Sequence, residues 1–266
     1  MKTAEELRKE IRVARDSVLG LVTRMEDIKL QQILQIRADY ALKIGCWEQG
    51  LLEAEIAARR AKRRLALAQG QANRGVAPRM DHIETVLDIE FAEWSALAEE
   101  AHSAAEQALA WRAGLVPMTK AEANILHSVY RTLMKRLHPD VHVGEDEERA
   151  ALFQIAQAAY KNGDVEALRS LEVATRRFDG PDDLAETDDA TLLAEELELA
   201  QIEENVMRQQ LHKLEEGEDI KLGHMLADPD WVAERTMELK AAIEQWERMR
   251  YECDARLEKL KRSFDE

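Results

Sequence analysis

Apolar residues in the opening stretch recur at alternating steps of four and three: Leu7, Ile11, Ala14, Val18, Leu21, Met25 and Ile28. That spacing lays one stripe along an α-helix, and its heptad form is a seam for a second helix. A second stripe runs through Ile33, Ile36, Tyr40, Ile44, Trp47, Leu51, Ala54, Ala58, Ala61, Leu65 and Ala68. The step of five from Ile28 to Ile33 breaks the period, so a kink, a local unwinding or a turn is expected between Lys29 and Gln32. Gly70 to Pro78, with Asn73 and Gly75 inside it, is the first strong punctuation. Asp81 then stands three residues before Glu84, a capping pair for a helix reaching about Trp111 through Ile83, Leu87, Trp94, Leu97, Ala101 and Ala108. These two long stretches are expected to fold back as an antiparallel hairpin, because an isolated helix gains little from propensity alone.

Gly114 to Met118 interrupts the pattern again, and Thr119 with Glu122 forms a capping box that opens a compact helical region up to about Arg177. Gly180 to Asp189 holds Pro181 and five acids and reads as a linker. Beyond it one helix carries Leu192, Leu199, Ile202, Val206, Leu211 and Leu214. A second carries Leu239, Ile243, Trp246, Met249, Cys253, Leu257 and Leu260, and Gly217 to Pro229 joins the two into a second expected hairpin. The expected fold is all-α: long antiparallel helical hairpins of coiled-coil type flanking a small helical module. The segments are 1–114 (hairpin), 115–179 (module), 180–190 (acidic linker) and 191–266 (acidic hairpin). Helices of roughly 35 residues extend about 50 Å, so they are arms rather than globules.

Composition supports helices: 34% of the 266 residues are charged, 5% are aromatic, and there are only 11 Gly and 5 Pro. An all-β fold would need more turn and β-branched residues. The net charge of −16 is uneven, since residues 180–266 hold 25 acids against 11 bases. Such a segment repels a phosphate backbone, so nucleic acid is not expected as a main ligand. Cys46 and Cys253 lie far apart, each within a helical pattern, which fits reduced core or seam residues in the cytoplasm. No window approaches the roughly 18 apolar residues that span a bilayer and the first ten residues lack an apolar signal stretch, so no membrane association is expected.

One stretch differs, from Asn124 to Asp140. Leu126, Val129, Tyr130, Leu133 and Leu137 make an inward helical face, whereas His127, Arg131 and Lys135 recur every fourth residue on an outward, basic one. His138-Pro139-Asp140 ends the helix, because a residue before proline is pushed out of the helical region. A second helix follows with Leu152, Phe153, Ile155, Ala156, Ala159 and Tyr160 in register, then a stop at Asn162-Gly163 and a further short helix capped by Asp164.

Here the sequence resembles the J domain of the DnaJ family. The match lies in Tyr130-Arg131 upstream of His138-Pro139-Asp140, the basic Lys135-Arg136 before the loop, and Phe153 with Ala159-Tyr160 after it. It covers residues 119–172. The family's opening helix, Gly/Phe-rich region and cysteine-repeat zinc region are missing, so the chain looks like bacterial J-domain-containing proteins in which coiled helices flank a shortened J domain. The resemblance implies a co-chaperone that docks on a DnaK-type ATPase chaperone and stimulates it. Its partner-binding residues would be Tyr130, Arg131, Lys135, Arg136, His138, Pro139 and Asp140, with Phe153 and Tyr160 as core. The arms would then serve clients, partners or self-association into a homo-oligomer. The competing expectation is a structural adaptor whose J module has lost ATPase stimulation.

Other features take plainer readings. The run Arg59-Arg60-Ala61-Lys62-Arg63-Arg64 is expected to pair with acids of a neighbouring helix rather than to bind RNA or lipid. Trp47, Trp94, Trp111, Trp231 and Trp246 are expected as seam or core anchors. His138 and His142 share an i, i+4 spacing, but Pro139 prevents a regular helix there and no third ligand is evident, so no metal site is expected. No nucleophile elbow, phosphate-cradling loop or Cys/His cluster occurs, so neither a cofactor nor catalysis by this chain is expected.

Overall fold

The computed structural model describes residues 2–115, 118–139, 147–178 and 189–265. Every regular element among them is helical: α1 (Ala4–Asp27), α2 (Ile33–Tyr40), α3 (Cys46–Ala72), α4 (Met80–Glu90), α5 (Ala92–Gly114), α6 (Lys120–Leu137), α7 (Glu147–Lys161), α8 (Val165–Ala174), α9 (Ala190–Glu215), α10 (Glu218–Ala227) and α11 (Pro229–Asp265). The all-α expectation holds. Among the described residues no helix is long and apolar enough to cross a membrane.

Local unwinding is what breaks the period near Lys29. Ile28–Gln32 forms a π-helical turn in which the Ile33 N–H donates to the Ile28 carbonyl, five residues back, so the five-residue step in the stripe corresponds to the one extra residue of the turn. A second π-helical turn, Ala41–Gly45, joins α2 to α3. The apolar spacing gives it no mark, since Tyr40, Ile44 and Trp47 keep the ordinary steps.

The expected segments are redrawn. The chain forms two compact units, Met1–Ile36 with Trp111–Leu222, and Arg37–Ala110 with Gly223–Glu266. In the first unit α9 packs along α1. Leu7 and Ile11 meet Leu193 and Leu197, Arg15 pairs with Glu196, the Ser17 hydroxyl donates to Glu204, and Arg24 lies 3.9 Å from Glu215, so the two helices run parallel. In the second unit α11 packs along α3, with Arg235 on Glu48, Lys240 over Trp47, Ile243 beside Gly50 and Leu257 against Ala68, again parallel. The C-terminal hairpin expected from residues 192–260 is thus replaced by pairings with N-terminal helices.

The seam of α9 also differs in its residues. Leu193, Leu197, Ala200 and Met207 are buried, whereas Leu192, Leu199, Ile202 and Val206 of the expected stripe are exposed. The inner stripe continues through Leu211 and Leu214 onto the core of the first unit, which gives it more apolar area to bury than the outer one, interrupted by Glu195.

A shorter hairpin than expected does form. Chain reversal after Ala72 uses Gly75 at φ +74°, a region open to glycine, and brings α4 antiparallel onto α3 around Ala68, Ile83 and Leu87. The expected helix 81–111 divides at Phe91, and α5 has no buried residue. Glu84 does not cap α4, which starts after Arg79 without a side-chain cap. It pairs instead with Arg60 at 3.0 Å and Arg64 at 2.5 Å, while Arg63 grips Glu90 in a two-pronged contact at 2.8 and 2.9 Å. The basic run is therefore paired with neighbouring acids, as expected. Among the tryptophans the role is partial: Arg59 lies between the rings of Trp94 and Trp246, and none of the five is buried. Cys46 is exposed rather than core, and both cysteines are free thiols.

These pairs are expected to make the second unit sensitive to acid. The hydrogen bonds from Arg64 hold Glu84, and those from Arg63 hold Glu90, below the ordinary carboxylate value of 4.5. A depressed value adds stability above the unfolded pKa that is lost as pH falls through the folded one. Thermal unfolding from pH 7 to pH 3 is expected to show falling stability below about 4.5, and an Arg64→Gln chain should lose less over that interval. An equal loss in both would discount the pairs.

Candidate functional site

The module expected to carry function is α6, α7 and α8. Its first helix opens on the expected capping box: Thr119 Oγ1 accepts from the Glu122 N–H at 3.3 Å, and the Glu122 carboxylate accepts from the Thr119 N–H at 2.7 Å, which keeps Glu122 below its ordinary pKa. Leu126, Val129, Tyr130, Leu133, Met134 and Leu137 of α6 are buried together with Phe153, Ala156, Ala159 and Tyr160 of α7 and Leu168 of α8. Cross-contacts of Tyr130 with Tyr160 and of His138 with Phe153 make α6 and α7 antiparallel. Gly163, at φ +71°, ends α7 as expected, and the Asp164 carboxylate accepts from the Ala167 N–H to start α8.

His138 adopts an extended conformation, φ −67° and ψ 129°, as the following proline requires. Its ring stands edge-on to Phe153 with centroids 4.9 Å apart and is only 6% exposed. The imidazole therefore braces the start of the loop instead of projecting from it, whereas Pro139 beside it is exposed. Asp140, like Val141 and His142, lies outside the described residues. Arg131 and Lys135 are exposed one turn apart on α6, on the outward face expected for them.

Two expected contact residues face inward. Tyr130 is 1% exposed and stacks on Tyr160 at 3.9 Å between centroids. Arg136 donates to the Glu172 carbonyl at 2.8 Å and to Thr175 Oγ1 at 3.3 Å, which ties α6 to the carbonyl end of α8, where a cation is favoured. Tyr130 is part of the core, and Arg136 is half-buried with its guanidinium turned to the end of α8.

No family model, curated protein or solved structure matches the chain. The residues themselves carry the functional reading, and the most specific group among them was not anticipated. Asp27, at the end of α1, accepts from the Tyr160 hydroxyl at 3.0 Å, and that hydroxyl also lies 2.8 Å from His127 Nδ1. One phenolic proton cannot serve both; given to the carboxylate, it leaves His127 Nδ1 to carry its own hydrogen and donate it to the phenol oxygen. Glu26, buried beside it, accepts from Gln157 Nε2 at 2.7 Å, and Gln31 Nε2 in the first π-helical turn donates to the Tyr160 carbonyl at 2.5 Å. Burial, reinforced by Asp27, pushes the Tyr160 hydroxyl far above its usual pKa, and burial does the same to Tyr130. The module is thus locked to α1 by acids and an amide that stand in or beside the π-helical turn. The five-residue step in the apolar stripe marks the π-helical turn and not the contact made there. Among the described residues no three His, Cys, Asp or Glu side chains are placed to hold a metal ion.

Proposed function

We propose that this chain is a J-domain co-chaperone that docks on a DnaK-type ATPase chaperone through α6 and the turn that follows it. The observation that carries the reading is the pair Arg131 and Lys135, exposed on the outward face of α6 one and two turns before His138-Pro139, with the opposite face buried against α7. Such a basic stripe draws an acidic groove by long-range attraction, and a turn stiffened by proline supplies the geometry that discriminates one conformation of the partner. His138 acts from inside, through Phe153, by holding the turn in place. No bond is made or broken on this chain.

The test is steady-state ATP turnover by a purified DnaK-type chaperone with and without the full chain. The intact chain is expected to raise turnover severalfold. Arg131→Ala with Lys135→Ala is expected to remove most of that stimulation while changing stability by no more than about 0.5 kcal/mol, because both side chains are exposed. Raising the salt concentration should weaken the intact chain's effect in the same direction. Absence of stimulation by the intact chain would overturn the reading. That outcome leaves the adaptor, in which the paired long helices do the work, a reading favoured by the burial of Tyr130 and His138.

A further inference from the structure

Helix α9 carries two apolar stripes, and only one is covered. Leu193, Leu197, Ala200 and Met207 close on α1 and the module core. The outer positions 192, 195, 199, 202 and 206 follow the alternating three- and four-residue steps of a coiled-coil seam, and four of them are Leu192, Leu199, Ile202 and Val206, exposed by 54, 63, 52 and 42%. Fourteen residues of rise make this stripe about 21 Å long, enough to line four turns of a partner helix. Single exposed leucines need no explanation, but four in seam register on one helix face do.

The charge around the stripe says what would cover it. From Thr191 to Val206 there are five glutamates and not one lysine or arginine. Glu196 and Glu204 are engaged by Arg15 and by Ser17 and Arg208 on the inner side. Glu195 stands on the outer stripe itself, and Glu198 borders it; both are exposed. A second copy of this chain would bring its own Glu195 into the seam, with no base in either stripe to neutralise it, so self-pairing is opposed. A helix with leucine-like residues at its seam and lysine or arginine beside them meets both the apolar and the electrostatic requirement. We infer that the outer face of α9 is a docking site for a basic amphipathic helix of another protein. This site is independent of the chaperone contact proposed for α6.

The probe is a synthetic, fluorescently labelled peptide of three heptads with Leu at a and d and Lys at e and g. Its binding to the full chain is read by fluorescence anisotropy, beside a scrambled peptide of the same composition and a Leu/Glu counterpart. The patterned basic peptide is expected to bind; the other two are not. Leu199→Gln with Ile202→Gln should weaken binding by about a hundredfold, given the apolar area of two such side chains. Glu195→Lys with Glu198→Lys should weaken it too and remove most of its salt dependence. Arg131→Ala with Lys135→Ala should leave it unchanged, so failure of the chaperone reading and failure of this one are told apart. The inference is overturned if the patterned peptide does not bind, if the scrambled peptide binds equally, or if the α9 substitutions have no effect. It is overturned equally if sedimentation shows a dimer of the intact chain that Leu199→Gln with Ile202→Gln dissolves, for then the occupant is a second copy.

Discussion

Tyr160→Ala is expected to cost about 3–5 kcal/mol of stability, the range for removing a buried aromatic side chain from a close-packed core. The ring is 1% exposed and stacks on Tyr130, so its loss leaves a cavity between α6 and α7 with aromatic surface on one wall. Its hydroxyl also serves Asp27 and His127, which would lose their shared partner. Tyr160→Phe separates the two contributions. It keeps the ring and removes the donor to Asp27 Oδ1, while Arg24 and Gln32 still donate to Oδ2, and should cost about 1–3 kcal/mol, the range for losing a hydrogen bond to a charged group. Urea unfolding followed by circular dichroism measures both. If Tyr160→Phe is neutral, the lock between α1 and the module is not a source of stability, and only the stack matters.

Leu197→Ala is expected to lose about 2–5 kcal/mol, whereas Leu199→Ala, two residues on, should stay within about 0.5 kcal/mol of the intact chain. Leu197 is 7% exposed and packs with Leu7, Ile11 and Leu193 between α1 and α9; Leu199 is 63% exposed on the opposite side. The same denaturation experiment decides it. Equal losses at the two positions, or a larger loss at Leu199, would mean that the outer stripe of α9 is the structural seam and the parallel pairing of α1 with α9 is wrong. The contrast is also a control for the docking inference, which needs Leu199 to be dispensable for folding.

How far the sequence could be read follows from the range of the forces concerned. Helix type, caps and stops depend on residues within a turn or two, and so the box at Thr119 and Glu122, the stop at Gly163, the extended residue before Pro139 and the inward face of α6 were all legible. The five-residue step announced a local change of period, and the π-helical turn at Ile28–Gln32 is its form. The second π-helical turn left no trace in the apolar spacing.

Pairing was not legible in the same way. An apolar stripe states that a helix must be covered but not by which neighbour, since any stripe of the same period presents the same kind of surface. Adjacent stretches were expected to close on each other, and α9 and α11 took α1 and α3 instead. On α9, Leu192, Leu199, Ile202 and Val206 and Leu193, Leu197, Ala200 and Met207 each fit a helical seam, and only the facing Leu7, Ile11 and Arg15 choose between them. The module behaves likewise: sequence placed Tyr130 and Tyr160 in its core, but Asp27 and Gln31 reach Tyr160, and Glu26 reaches Gln157, from more than a hundred residues away along the chain. By itself, then, the sequence determined an all-helical chain, its local stops and the outward basic face of α6, because periodicity and capping act within one helix. Tertiary structure alone decided which stripes are buried, which stripe of α9 is left exposed, and that α1 holds the module, because those outcomes depend on surfaces that meet only after the chain has folded.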